Sequence, residues 1–565
     1  MKFIVLLILS LLMLPLSKKS YVSERSDGFT FKIFSLVPII VFWILTGIIE
    51  YFFLLDNNIS GVLVGYALLS AIFIVISLYF AEGESRTIKI GKLTASLLLF
   101  LSFVYFGFIN DMVVAEKKYE SVNSETKEIS EPFTEKDTPF SVPPKTAKNK
   151  MKKVFGDIPK VSYYELGELT PQNINGELVY VAPIEISGYF KARKAEYSPG
   201  YVTMSGTDPD AEAKLHLKHK MKYIPSMYFG DNLDRVIRNA EPNLIFKGDE
   251  KLEVDDEGKP FYTRTYGDFV SGRSGFVPKG VVVVDPENGD VKKYEMKDAP
   301  KFLDATINYE TAGYLNDTFG TLIHGIWNSW FSKTDVKLPT DWGTKEGVTP
   351  IFDKNGKMLF FSDFTSPKEG VDSALGYSLV DAETGKLTYY DGDKVKGIMD
   401  GSAAQEVVDN TFKKEKWKGT MPVLYNIYGE ATWMVPVVDD GGLVRSYSLI
   451  AASNAKTFAS GNTQKEAFKK YKNALSRKSG AGKASSTGKN MKVEGQVVRT
   501  YKESTDDGIV VYLLLKNNDQ IFMVSSADFP YALFTEVGDK VKVEYKDTGD
   551  LNMSVSDFSN NNFKK

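Results

Sequence analysis

The sequence predicts three parts of different class: an N-terminal all-α transmembrane bundle, a long α+β region of repeated modules, and a C-terminal small β-barrel. Three observations carry that reading. Four apolar runs lie before residue 116, and four Asx-Gly turns recur in one order between residues 148 and 476. A set of short alternating strands comes after a linker rich in Gly, Ser and Lys. With 565 residues and 43% hydrophobic content the chain can fill several cores. Its net charge of −3 argues against a dedicated nucleic-acid binder. Cys is absent, which excludes disulfides, thiolate metal sites and a Cys nucleophile, and three His leave little room for His-based catalysis.

Residues 1–115 form the expected four-helix transmembrane domain. Phe3–Leu16 is short, in the range of either a first helix or a signal-peptide core. No small-residue cleavage site follows Leu16, so a retained helix is favoured. Ile33–Leu55, Ile59–Ala81 and Leu93–Ala115 are each long enough to cross roughly 30 Å of hydrocarbon. The loop after the first run carries Lys18, Lys19, Arg25 and Lys32, and the third loop carries Arg86, Lys89 and Lys92. The loop Asp56-Asn57-Asn58 has no basic residue. Basic loops stay in the cytoplasm, so everything after the fourth helix is expected outside. The predicted location is therefore the plasma membrane, multi-pass, with a large extracytoplasmic C-terminal region. Glu50 and Asp111 sit near the outer helix ends and read as interfacial carboxylates rather than an ion pathway.

Residues 116–147 are polar and Pro-bearing, and predict an extended stalk. From 148 to 476 an α+β unit recurs about four times. Its turns are Asn173-Ile-Asn-Gly176, Asp255-Asp-Glu-Gly258, Asp353-Lys-Asn-Gly356 and Asn426-Ile-Tyr-Gly429, each followed by an aromatic four residues on. Gly takes positive φ freely there, and Asn or Asp bonds its own backbone to open the turn. A second β segment starts at Gly200, Gly280, Gly376 and Gly442. Helix-like segments precede most units: Asn232–Asn239, Leu315–Phe331 and Ser402–Lys414, with a weaker one at Lys148–Phe155. Asp255, Asp285, Asp353 and Asp381 do not match a Ca²⁺ loop and read as turn formers.

Gly280–Tyr294 and Gly376–Tyr389, with Val-Asp381-Ala-Glu-Thr384-Gly385, resemble the Val-Asp-x-x-Thr-Gly hairpin of PepSY-type modules. Asn288 replaces the usual Thr in the first. The likeness covers mainly residues 245–395. It implies extracytoplasmic α+β units tied to peptidase regulation or envelope sensing. The whole chain also resembles multi-pass membrane proteins of Gram-positive bacteria and their phages.

Two local features stand out as candidate sites. Strand alternation over Lys214–Lys222 would place Lys214, His216, Lys218, Lys220 and Lys222 on one face, with His219 on the other. That face suits an anionic wall polymer or headgroups, or simply a Lys-protected edge strand. Trp327, Trp330 and Phe331 follow a packed or capping His324 and could form a docking patch for a partner or the membrane surface.

A helix opened by the capping box Thr463-Gln-Lys-Glu466 ends the repeat region. Residues 477–490 read as a flexible linker, and 491–565 as an OB-like β-barrel with a polar tail. Walker, His-Glu-x-x-His and Gly-x-Ser-x-Gly patterns are missing, and no residue is singled out as catalytic, cofactor-binding or metal-ligating. The expected function is non-enzymatic: a membrane-held platform for an envelope protein, with a peptidase as one candidate. The alternatives are a wall-polymer or glycan binder and an envelope enzyme or transport component. The expected partners are the lipid bilayer and an unidentified envelope protein or wall polymer, with no nucleic acid and no cofactor.

Overall fold

Uninterrupted apolar sequence forms helices at the N-terminus because a helix satisfies its own backbone where side chains offer no polar partner. The computed structural model describes residues 2–25, 28–31, 33–134, 137–368, 373–393, 395–478, 489–505, 508–547 and 551–563. Two helices, Phe34–Phe53 and Arg86–Val113, are long and apolar enough to cross a membrane. Lys2–Leu11 and Ala67–Tyr79 are shorter apolar helices. The third apolar run is divided at Tyr66 into Ile59–Gly65 and Ala67–Tyr79. The fourth helix starts at Arg86 rather than Leu93, because Ser85 caps it by accepting from the Ile88 amide. It widens into a π turn at Tyr105–Ile109 before Asn110.

Beyond the helices the chain is mostly β. Four sheets succeed one another, antiparallel but for one strand added to the third, and each has a long strand whose edge is shared by two short segments that precede it. In the first sheet Tyr164–Leu166 and Thr170–Ile174 both pair with Glu177–Ile186, followed by Tyr201–Ser205 and Lys214–His216. In the second, Ile245–Phe246 and Lys251–Val254 pair with Pro260–Ser271, followed by Ser274–Val284 and Val291–Glu295. Met358–Thr365 is the long strand of the third sheet, and Glu430–Val438 that of the fourth. A helix precedes each set: Pro144–Val154, Leu233–Ala240, Tyr309–Thr321 and Gly401–Thr411.

The turn chemistry read from the sequence has a direct structural counterpart. Gly176, Gly258, Gly356 and Gly429 have φ of 86°, 86°, 78° and 89°. Asn173 Oδ1 accepts from the Gly176 amide at 2.9 Å, and Asp353 Oδ1 from the Lys357 amide at 2.8 Å. Gly200, Gly280 and Gly376 share a second role. A Cβ there would collide with the carbonyl oxygens of His216, Tyr294 and Tyr390 on the next strand. In the fourth sheet that place belongs to Ser446, which directly precedes the Tyr447↔Gly461 pair, while Gly442 lies in the hairpin turn with φ 79°. Gly442 is therefore not the fourth member of the set, as the sequence spacing suggests; the equivalent position comes four residues later. Ser446 fits because the facing strand offers Gly461, whose carbonyl accepts from Ser446 Oγ at 3.0 Å.

Two further expectations are corrected. Residues 116–147 are not a free stalk: Ser124–Lys127 adds a parallel strand to the third sheet beside Leu387–Tyr390. Phe133 joins the edge of the fourth sheet, and Val122, Phe140 and Val142 are buried. A few well-spaced apolar residues anchor a segment whose average composition is polar. The helix expected over Leu315–Phe331 ends at Thr321, and His324 at φ 110° separates it from Gly325–Trp327 and a π turn at Asn328–Ser332. The linker expected at 477–490 lies largely outside the described residues.

Cores are shared between sheets, but not in chain order. One joins the first and second sheets, one the first and third, and one the third and fourth. The C-terminal part is a closed five-stranded barrel, in order Lys489–Thr505, Gly508–Leu515, Ile521–Ser525, Asn552–Asn560 and Lys540–Asp547. Its last strand in sequence, Asn552–Asn560, occupies residues expected as the end of the barrel and a polar tail. It pairs parallel to Ile521–Ser525 and antiparallel to Lys540–Asp547.

Candidate functional site

The helices and the second sheet meet at one end of the helical bundle. Arg273 Nη1, in the turn of the long second-sheet hairpin, lies 2.7 Å from Asp56 Oδ2, and Asp56 is only 4% exposed. Burial alone would raise that carboxyl, but the hydrogen bond and charge of Arg273 hold it below the usual carboxylate range. Asn57 donates its amide to Pro242 O at 2.9 Å, and Asn58 Nδ2 donates to Asn243 O at 2.7 Å. Arg235 donates to Tyr51 O at 2.8 Å, with its guanidinium 4.0 Å from the Tyr51 ring centroid. Asn110, just past the π turn, donates to Ser271 O at 2.9 Å. Lys2 reaches the same end of the bundle, 2.6 Å from Glu50. Asp111 pairs with Lys118 at 2.9 Å. At the opposite end, Lys92 pairs with Glu84 at 2.8 Å and donates to Leu14 O at 2.9 Å, and Ser20 donates to Glu82 O. Residues 14–20 and 82–92 are thus together, away from the sheets.

The predicted basic face is shorter than expected. The strand ends at His216 and pairing resumes only at a single bridge between Met221 and Ser198, so Lys218, Lys220 and Lys222 do not continue its alternation. His216 and His219 both stack on the Tyr201 ring, at 4.5 and 5.7 Å, rather than pointing apart. The chain turns back after the strand, and the His219 amide donates to Pro199 O. His216 Nε2 lies 3.0 Å from Thr203 Oγ1, and burial with neighbouring cationic groups lowers its pKa. Lys222 pairs with Asp231 at 3.3 Å, and Lys220 lies 5.7 Å from the Tyr197 ring. Lys214 and Lys218 are exposed. Lys220 and Lys222 instead help line a cavity of about 500 Å³ with Arg193, Asp231 and Glu287.

Trp327, Trp330 and Phe331 do come together. Trp327 is edge-on to Trp330 at 5.8 Å and stacked on Phe331 at 5.9 Å, and all three are exposed. Beside them opens a cavity of about 650 Å³ lined by Lys333, Lys337, Lys368, Lys396, Asp335 and Asp391. Lys337 lies against the Phe319 and Tyr389 rings, and burial lowers its pKa. His324 Nε2 is 3.1 Å from Asp335. Sequence reasoning missed this basic cavity because its lysines come from separate loops. It also missed a second aromatic cluster, in which Tyr189 is 5.2 Å from Tyr228 and 5.9 Å from Phe229. The neighbouring aromatics Tyr189-Phe190 and Tyr228-Phe229 were its only signal.

Several carboxyls lie buried inside the sheets. Asp363 accepts from the Gly401 amide at 2.9 Å, its other oxygen has no hydrogen-bond partner among the described residues, and burial raises it to about 7. Burial also raises Glu185, which accepts from Ser226 and from Tyr262 OH. Such groups sit in packed cores. A more open groove of about 630 Å³ gathers Glu310, Asp317, Asp341 and Glu346 around Lys247 and Tyr314.

The helical part of the chain is the part with a recognised relative. Residues 23–119 match DUF3981, a domain of unknown function. The match runs from the loop after the first apolar helix to the segment that leaves the last one. No curated protein matches the chain. Among solved structures, a GH43 β-1,3-galactosidase with galactodeoxynojirimycin is 11% identical over 50% of this chain and 70% of that one, with a TM-score of 0.13. An exotype rhamnogalacturonan lyase is 9% identical over 70% of this chain and 65% of that one, with a TM-score of 0.14. At those scores neither bears on the fold or chemistry of this chain.

Proposed function

We propose that this is a multi-pass plasma-membrane protein whose DUF3981-containing helices hold a large extracytoplasmic region as a non-enzymatic binding or regulatory platform for an envelope partner. The observation that carries the reading is the polarity of the bundle. The sheets dock on the end formed by Asp56, Asn58 and Asn110, and the basic residues Lys18 and Lys19, in the connection after the first helix, and Arg86 and Lys89, in the first turn of the last, lie at the other. Basic loops remain cytoplasmic, so the sheets face outward. The four apolar helices alternate in direction between these ends, which supports four spans.

The shared topology of the four sheets and the common place of Gly200, Gly280 and Gly376 support the repeat, and with it the PepSY-like reading in which a peptidase is the partner. The closed barrel with one parallel strand pair supports an OB-like module. The acidic groove around Lys247 favours the competing reading, an envelope enzyme.

Because the chain has no Cys, single thiols test the arrangement cleanly. A membrane-impermeant maleimide should label Glu257→Cys in intact cells and Arg86→Cys only after permeabilisation; the reverse pattern rejects the proposal. Cross-linking from Glu257→Cys in the full chain should then recover one envelope protein reproducibly. Recovery of a polyanionic wall polymer instead would favour a wall binder.

A further inference from the structure

We propose that the outward region rests on the outer leaflet through two aromatic feet, Phe190 with Phe229 and Trp327 with Phe331, and that lysines behind the second foot hold anionic phospholipid headgroups. The inference rests on the outward orientation proposed above. Both feet are continuous with the contact between sheets and helices. Phe229 lies six residues before Arg235, which binds the outer end of a candidate span at Tyr51. The turn Gly325–Trp327 packs against Ala115–Glu120, the segment in which the last apolar helix leaves the bundle. The rings are open to solvent rather than folded inward: Phe190 is 80% exposed, Phe229 59%, Trp327 65% and Phe331 74%.

Exposed Phe rings of this kind insert at the boundary between headgroups and acyl chains, and Trp327 adds an indole N–H for the polar side. The backbone is bent to present them. Phe229, His324 and Lys333 all have positive φ, at 55°, 110° and 51°, a conformation that costs free energy in residues other than Gly.

Charge selects the kind of lipid. The cavity beside the second foot carries four lysines against two aspartates, and one of those aspartates is already engaged by His324. Lysines close to an anionic surface are drawn to it electrostatically, within about a Debye length. The cavity nearest the first foot is balanced instead, with Arg193, Lys220 and Lys222 facing Glu196, Asp231 and Glu287, so the charge preference belongs to the second foot alone. A protein partner would also bury exposed aromatics, but these two patches flank the bundle end itself, where lipid already surrounds the helices.

The test uses full-length protein in nanodiscs, with an environment-sensitive label on Phe331→Cys, on Phe229→Cys, or on Glu257→Cys. Glu257 lies beyond the far end of Pro260–Ser271, a strand of 12 residues, and so roughly 40 Å from the bundle contact at Ser271. Both foot labels should emit to the blue of the Glu257 label, and nitroxide-bearing lipid should quench them several-fold more. In the Phe331→Cys protein the effect should be stronger with phosphatidylglycerol than with phosphatidylcholine. Charge reversal at Lys333, Lys368 and Lys396 should erase that lipid preference while leaving thermal unfolding unchanged. Equal quenching at all three sites overturns the proposal, as does protection of the feet only when a cell-envelope extract is added. Failure of the orientation itself would show separately, as Glu257→Cys inaccessible in intact cells.

Discussion

Asp363 illustrates how burial sets the behaviour of a single residue. It sits on the long strand of the third sheet and aims one oxygen at the start of helix Gly401–Thr411. Burial raises its pKa to about 7 against an ordinary 3.8, so the folded state holds a proton that the unfolded chain releases. Between those values the native state binds more protons, and stability falls as pH rises. Asp363→Asn is uncharged at every pH and can still accept from Gly401. Its thermal midpoint should exceed that of wild type by a margin that grows from pH 4 to pH 8. A pH-independent difference would show that Asp363 is charged in the fold. Nothing local announces this behaviour, because Asp363 lies in Ser-Asp-Phe-Thr with no partner nearby in the chain. Only the helix brought across from residue 401 makes it a buried acid.

At the scale of elements, turn chemistry was legible and chain reversals beyond it were less so. Asn173, Asp255 and Asp353 open turns through their own side chains, which is local chemistry that a sequence displays. The close approach at Gly280 and Gly376 is a cross-strand fact, yet it leaves a Gly in the sequence. Gly376→Ala adds a Cβ at φ 146° against Tyr390 O, and should cost more than about 1 kcal/mol. Ser446→Gly loses one buried hydrogen bond, and should cost only about 1 kcal/mol. Denaturant midpoints of the two variants, measured side by side, check the ranking. Comparable losses would mean that the backbone at residue 376 relaxes. The strand expected over Lys214–Lys222 failed for a related reason. Alternation along a sequence says nothing of where the partner strand ends, and continuous pairing here ends at His216.

The whole molecule is held by segments that cross between sheets. Phe140 lies on the supposed stalk, 4.8 Å from the Tyr180 ring of the first sheet and 5.1 Å from Phe352 of the third. Its neighbour Gly206 leaves no room for a Cβ beside that ring. Phe140→Ala should therefore destabilise the sheet region by about 3–5 kcal/mol, the usual range for a buried aromatic. Because one core serves both sheets, hydrogen exchange should rise in the first and third together. A rise confined to residues 130–147 would show that the segment is only draped on the surface.

Sequence alone determined the apolar helices, the turns and the alternating barrel strands, since each follows from the chemistry of a few adjacent residues. Tertiary structure decided what those elements do to one another. Sheets adjacent in the chain do not always share a core, a polar segment becomes a strand, and lysines from separate loops converge on one cavity. The physical reason is that burial and charge convergence depend on distances in space, and those are set only when the sheets pack.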